Sequence, residues 1–203
     1  MAATDPSLVQ CAVDILRGGG LVAYPTDTVY GLAALPDNDT AVARLFEAKK
    51  RNQAQPTPLL IASEKMAPAV AASISNEAQA LMTAFWPGAL TIILAKAQTF
   101  RSLAVGETVG LRVPDHPLPR ELSRLLGSPI TGTSANLAGG PEPLTADDVR
   151  AQLGDAVDLV IDDGPCPGGQ PSTVVDCTAS PPRIVRQGAI SEAALLRVLD
   201  ERS

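Results

Sequence analysis

Apolar residues recur along this chain at two spacings, one helical and one extended, and the two alternate. Leu8, Val9, Ala12, Val13 and Leu16 share one helical face, with Asp5 as cap, Pro6 at the first helical position and Gly18-Gly19-Gly20 as the stop. Val42, Leu45 and Phe46 predict a second helix over 38–50. A short helix opens at Ser63-Glu64, and Ser75 caps another that runs to about Phe85, where Trp86-Pro87-Gly88 breaks it. Later helices are predicted over 118–126, from Thr145 to Leu153 with Asp148 in a capping box, and from Ser191 to about Leu199.

Between these lie short runs rich in β-branched residues. They predict strands over 21–23, 59–62, 89–94, 108–113, 157–161, 173–175 and 183–185, and one that starts at 129–131 and runs on into 132–136. Strands alternating with helices give an α/β fold. Several late strands have no helix between them, so a mixed β-sheet is expected. At 203 residues the chain suits one domain over 1–203.

Composition narrows the picture. Aromatics are only 3% of the chain, so Val, Leu, Ile and Ala must fill the core. With 16 Lys and Arg against 22 Asp and Glu, the net charge is −6, which argues against a main task of gripping nucleic-acid backbone. A local basic pocket for a small anion remains compatible with it. The start of the chain lacks a secretory pattern, and no apolar stretch is long enough to span a bilayer. Cys11, Cys166 and Cys177 are odd in number and lack metal or redox spacing, so a reduced, cytoplasmic setting is expected.

Polar chemistry concentrates just after the first predicted strand. Tyr24-Pro25-Thr26-Asp27-Thr28-Val29-Tyr30-Gly31-Leu32 packs two threonines, a carboxylate and two phenols into one turn, where open α/β sheets place ligands. Several familiar sites are excluded. The three glycines at 18–20 are not followed by Lys-Ser or Lys-Thr, and Gly132-Thr133-Ser134-Ala135-Asn136 lacks the last Gly of a nucleophile elbow. One histidine and three scattered cysteines cannot supply a zinc site, and His116 is expected to be a surface or turn residue. A basic cluster of Arg44, Lys49, Lys50 and Arg51, joined by Arg112 and Arg186 near strand ends, suits a polyphosphate. Its bland alternative is a solvated helix end. Thr28, Thr131, Thr133, Ser134, Asn136, Ser172 and Thr173 recur in polar turns, a set suited to positioning and electrostatic stabilisation.

Seven blocks in order carry a resemblance over nearly the whole chain. They are residues 24–32, Lys49-x-Arg51, Trp86-Pro87-Gly88-x-Leu90-Thr91, Arg112-x-Pro114, Thr133-Ser134-Ala135-Asn136, Pro171-Ser172-Thr173-Val174-Val175-Asp176 and Arg186-x-Gly188. The chain resembles the YrdC-type threonylcarbamoyl-AMP synthase family in its short form. That resemblance implies a twisted sheet with flanking helices around a large concave groove. It also implies conversion of L-threonine, bicarbonate or CO2 and ATP, with Mg2+, to threonylcarbamoyl-AMP and pyrophosphate, for transfer to tRNA by a downstream threonylcarbamoyl transferase. By resemblance, Thr28, Ser172 and the Gly132 backbone would hold L-threonine, and Lys49 and Arg51 would take the ATP phosphates as catalytic groups. Thr108, Ser134 and Arg186 would contact the nucleotide, with Asn136 supporting the same loop and Gln55 binding ATP as a hydrogen-bond donor to phosphate. The sequence departs from the family pattern at Asn52, where Pro is usual, and at Gln55, where Lys or Asn is common. Two other readings are an RNA-binding module of the same fold without chemistry, and a paralogue making a related carbamoyl-adenylate.

Overall fold

In a computed structural model of the chain, residues 5–52, 55–167 and 170–200 are described. The ends of the expected 1–203 unit lie outside them. The first helix, α1 (Pro6–Arg17), starts as its residues dictate: the Asp5 side chain accepts from Ser7 N at 2.9 Å and Pro6 occupies a position that needs no donor. Asn38 and Ser75 cap α2 (Asp39–Ala48) and α3 (Asn76–Phe85) in the same way. The helix α4 (Pro117–Leu126) ends on Gly127 in the left-handed region, φ 65. A complete capping box of Thr145 and Asp148 starts α5 (Ala146–Leu153), and α6 (Glu192–Asp200) closes the described chain. Among the described residues no helix is long and apolar enough to cross a membrane.

The expected mixed sheet proves to be two mixed sheets. The strands in chain order are β1 (Val22–Tyr24), β2 (Gly31–Ala33), β3 (Leu59–Leu60), β4 (Leu90–Ala95), β5 (Thr108–Arg112), β6 (Ile130–Thr131), β7 (Thr133–Ser134), β8 (Leu159–Val160), β9 (Thr173–Asp176) and β10 (Arg183–Arg186). Four of them form a sheet in the order β7-β2-β1-β8, with β8 parallel to β1 and the other pairs antiparallel. The other six run β10-β9-β4-β5-β3-β6, with β4–β9 and β3–β5 parallel.

One expectation is corrected here. Residues 129–136 are not a single strand, because the chain leaves one sheet after Thr131 and enters the other at Thr133. Gly132 makes the step. Its N–H donates to Pro58 O at 2.7 Å, and a Cβ there would lie 2.8 Å from Leu60 Cγ and Cδ2. Thr131, expected among the polar turn residues, is fully buried and ties the two sheets together. Its hydroxyl donates to Leu32 O at 2.9 Å and accepts from Ala34 N at 2.8 Å.

Three apolar clusters follow from this division. One packs α3 and α6 against the six-stranded sheet through Leu81, Met82, Leu90, Ile92, Leu111 and Leu195. A second packs α2 and α5 against the four-stranded sheet through Leu45, Phe46, Tyr30, Leu32 and Val149. The third joins α1 and α4 to both, through Val13, Leu16, Leu118, Leu122, Tyr24 and Leu60. All three are mainly aliphatic, as the shortage of aromatics requires.

Candidate functional site

Both sheets contribute to one groove of about 340 Å3. Its floor is a face of the six-stranded sheet. Thr91 and Ile93 of β4, Thr108, Gly110 and Arg112 of β5, and Val174 of β9 line it, at alternate positions along β4 and β5. The β1–β2 turn, the 56–58 segment and β7 provide the walls.

The β1–β2 turn is organised by Thr26. Its hydroxyl accepts from Thr28 N (3.0 Å) and Val29 N (3.2 Å) and donates to Val29 O at 2.7 Å, which leaves the Thr28 hydroxyl at the groove wall, 3.0 Å away. Arg112 reaches the same turn from the floor and is held on every side. Its Nε donates to Gly88 O at 2.9 Å, Nη1 to Thr28 Oγ1 at 3.3 Å and Nη2 to Asp27 Oδ1 at 2.6 Å. Arg112 is only 6% exposed, so Asp27 neutralises a cation that has almost no solvent around it. Asp27 is thereby the counter-ion of a groove-lining arginine.

Ser172, at the start of β9, is buried with its Oγ 2.8 Å from Thr91 Oγ1. Arg186 folds back on it, with Nε and Nη2 donating to Ser172 O at 3.2 and 2.8 Å and Nη2 to Ser172 Oγ at 3.2 Å. On the opposite wall Arg51 donates to Thr133 Oγ1 (3.2 Å), Pro56 O (3.0 Å) and Gln55 Oε1 (3.3 Å), and its guanidinium carbon lies 6.0 Å over the Phe46 ring. Ser134 Oγ donates to Asn136 Oδ1 at 2.6 Å, and Asn136 Nδ2 to Gly140 O at 2.9 Å.

Of the residues expected from the sequence, Thr28, Arg51, Thr108, Gly132, Ser134, Ser172 and Arg186 line the groove together. Lys49, Gln55 and Asn136 stand behind its wall, each bonded to a residue that does line it. The basic cluster does not act as a unit. Arg44 turns away to Asp158 (3.0 and 3.1 Å) and to Gly19 O (3.1 Å), Lys50 is exposed, and Arg51 alone of the four lines the groove. The reason is that α2 ends at Ala48: Arg44 lies within the helix, Lys49 is its C-cap, and the backbone turns through left-handed Lys50 (φ 50) before Arg51, so the four side chains diverge. Thr173 is structural, its hydroxyl accepting from Gly188 N and Ile190 N at 3.0 Å.

His116, expected to be a surface or turn residue, does stand in the bend before α4 but is buried, 7% exposed. It caps α4 by accepting from Leu118 N at 3.3 Å, and burial lowers its pKa. Arg112, expected with Arg186 among the cations for a polyphosphate, does line the groove but is ion-paired with Asp27, a pairing that sequence reasoning did not foresee. Sequence reasoning gave no individual role to Thr26, Thr91 or Glu142, all of which line the groove. Glu142 stands in a Gly/Pro-rich loop and had no sequence signal.

Among the described residues no three His, Cys, Asp or Glu gather where they could hold a metal ion, and Glu142 is the one carboxylate of the groove lining. The Glu142 carboxylate is an oxygen donor of the kind that Mg2+ takes.

Comparison with known proteins agrees with this geometry. A family model described as Sua5_yciO_yrdC, telomere recombination, matches residues 14–188. The chain is 39% identical over 202 residues to the threonylcarbamoyl-AMP synthase of Bacillus subtilis, covering 98% of this chain and 58% of that protein. It superposes on the crystal structure of Pyrococcus abyssi Sua5 complexed with L-threonine with a TM-score of 0.90 at 36% identity, covering 95% of this chain and 57% of that one. The Escherichia coli YciO crystal structure matches with a TM-score of 0.84 at 28% identity, over 93% of each chain.

Proposed function

The chain belongs to the Sua5/YciO/YrdC family, and from that premise we propose that it is a threonylcarbamoyl-AMP synthase. It is read as a nucleotidyltransferase that joins L-threonine, bicarbonate or CO2 and ATP into threonylcarbamoyl-AMP, with release of pyrophosphate. The observation that carries the reading is a contrast within one groove. Arg112 is ion-paired with Asp27 beside Thr28, whereas among the described residues Arg51 and Arg186 hydrogen-bond to hydroxyls, an amide and backbone carbonyls, with Glu142 acting on Arg186 through space and not through a hydrogen bond. An arginine whose charge is already balanced suits a zwitterionic amino acid, and cations without an ion-paired carboxylate suit a polyanion.

On this reading the threonine carboxylate docks on Arg112 and the Thr28 hydroxyl, with Ser172 and Thr91 completing that end. The deprotonated amine adds to CO2 and gives up one proton to solvent, leaving a carbamate. A carbamate oxygen then attacks the α-phosphorus in line, the bond to the bridging β-oxygen breaks, and pyrophosphate leaves with the electron pair. When bicarbonate is the carbon source, one water forms in addition. Arg51, oriented by Gln55 and Thr133, meets the charge that develops on the departing phosphates. Thr108, Ser134 and Arg186 are the further nucleotide contacts, with Asn136 and Lys49 behind Ser134. A Mg2+ bound with the nucleotide would supply further charge neutralisation of the phosphates. The product is an activated carbamoyl group. It would be consumed by the transferase machinery that modifies tRNA, which sets the work in the cytoplasm.

The test is incubation of the protein with ATP, Mg2+, bicarbonate and each amino acid in turn, with pyrophosphate as the readout. Release that requires both threonine and bicarbonate is expected. Release with a different acceptor would favour a related carbamoyl-adenylate synthase, and salt-sensitive RNA binding without ATP turnover would favour a binding module.

A further inference from the structure

Lys49 is expected by resemblance, together with Arg51, to take the ATP phosphates, yet its side chain lies outside the groove lining. Its Nζ donates to Ser134 O, to Asn136 O at 2.7 Å and to Asn136 Oδ1 at 3.4 Å. An ammonium has three donors, and here each has an acceptor on one short turn. The residue is 2% exposed, and no carboxylate among the described residues pairs with it. Lys49 also holds the far side of that turn, since its own carbonyl accepts from Ala138 N at 2.9 Å. Asn136 passes the support along to Ser134 Oγ and to Gly140 O. Swinging Nζ into the groove would leave two carbonyls of the turn without their donor, a cost that Arg51, already at the wall, does not face.

We propose that Lys49 is a positioning residue: a buried brace that shapes the Ser134–Asn136 turn for the nucleotide without touching the phosphates itself. The proposal rests on the nucleotide reading of the groove for its purpose, but not for its geometry. The cation still adds to the positive potential at that end, because a buried charge without a counter-ion is little screened.

Amide hydrogen exchange and ATP binding together test it. In nucleotide-free protein, Lys49→Met should speed exchange at Ala135–Ala138 roughly tenfold or more, and ATP affinity should fall by a similar factor. Lys49→Arg, which keeps the charge and donors, should restore part of both. Asn136→Ala should loosen the same segment, and the double variant should be little worse than either single one, since both remove one interaction. Asn136→Ala also serves should Lys49→Met fail to fold. Unchanged exchange with weakened ATP binding would overturn the proposal and return Lys49 to the phosphates. Unchanged exchange and unchanged binding would overturn it as well. Faster exchange with ATP affinity intact would overturn the link between the brace and the nucleotide. Wild-type protein that binds no ATP would overturn the nucleotide reading instead, while the exchange result still judges the brace.

Discussion

Arg112 and Arg51 stand on the same groove and are prepared for opposite partners. Arg112 leaves the floor at 6% exposure with Asp27 2.6 Å away, so its own charge is balanced before any ligand arrives. Arg51 leaves the end of α2 half-buried, bonded to a hydroxyl, a carbonyl and an amide, with the ammonium of Lys49 two residues before it. That end has charge to spare. On the proposed reading this difference sorts two substrates by charge: a zwitterion at the paired arginine and a triphosphate at the one without an ion pair. Hydroxyls of Thr28, Thr91, Thr133, Ser134 and Ser172 then supply direction at both ends.

Removing the unpaired cation tests this contrast most severely. Arg51→Ala should cut pyrophosphate release by about a thousandfold in kcat/KM for ATP, with a melting temperature near that of the parent. Unchanged turnover would end the phosphate role. Asp27→Asn attacks the other side. It leaves Arg112 buried without a counter-ion, so stability should fall by about 3 kcal/mol in denaturant titration, with KM for threonine raised and ATP affinity kept. A rise in KM for ATP instead would dissolve the distinction between the two ends.

A smaller effect follows from Lys49, whose pKa is pushed down to about 8, by burial first and by Arg51 second. Below that pH both folded and unfolded chains hold the proton, and the cost of burying the charge is fully present. Between about 8 and the ordinary value of 10.5 the unfolded chain binds a proton that the folded one has released, so stability should rise with pH across that window. ATP affinity should run the other way, weakening as the ammonium discharges. Urea midpoints and ATP dissociation constants at pH 7 and 9 check both signs, and Lys49→Arg should flatten both trends. The smallest change is expected from Thr91→Val, which takes away the partner of Ser172 Oγ. KM for threonine should rise about fivefold, and the ATP parameters should stay put in steady-state kinetics.

Much of the fold was legible because it rests on local rules. Asp5-Pro6, Asn38, Ser75, Thr145 with Asp148 and Gly127 each start or stop a helix through contacts within a few residues, and each does so in the structure. The seven motif blocks likewise located Thr28, Ser134, Ser172 and Arg186 at the groove. Contacts across long separations were not legible. Asp27 meets Arg112 over 85 residues of sequence, Lys49 meets Asn136 over 87, and Thr91 meets Ser172 over 81. The burial of His116 was hidden for the same reason, because it depends on what α4 packs against and not on its neighbours in the chain.

The sequence by itself determined the order of helices and strands, the aliphatic core and the inventory of polar groups, since periodicity, capping and composition act over short range. Tertiary structure alone decided that residues 129–136 divide between two sheets at Gly132, that Arg112 is paired while Arg51 has no ion pair among the described residues, and that Lys49 braces a turn behind the wall. Each of those outcomes is set by which groups meet in space under burial, where an unmet donor or an unpaired charge is costly, and one-dimensional spacing does not encode that meeting.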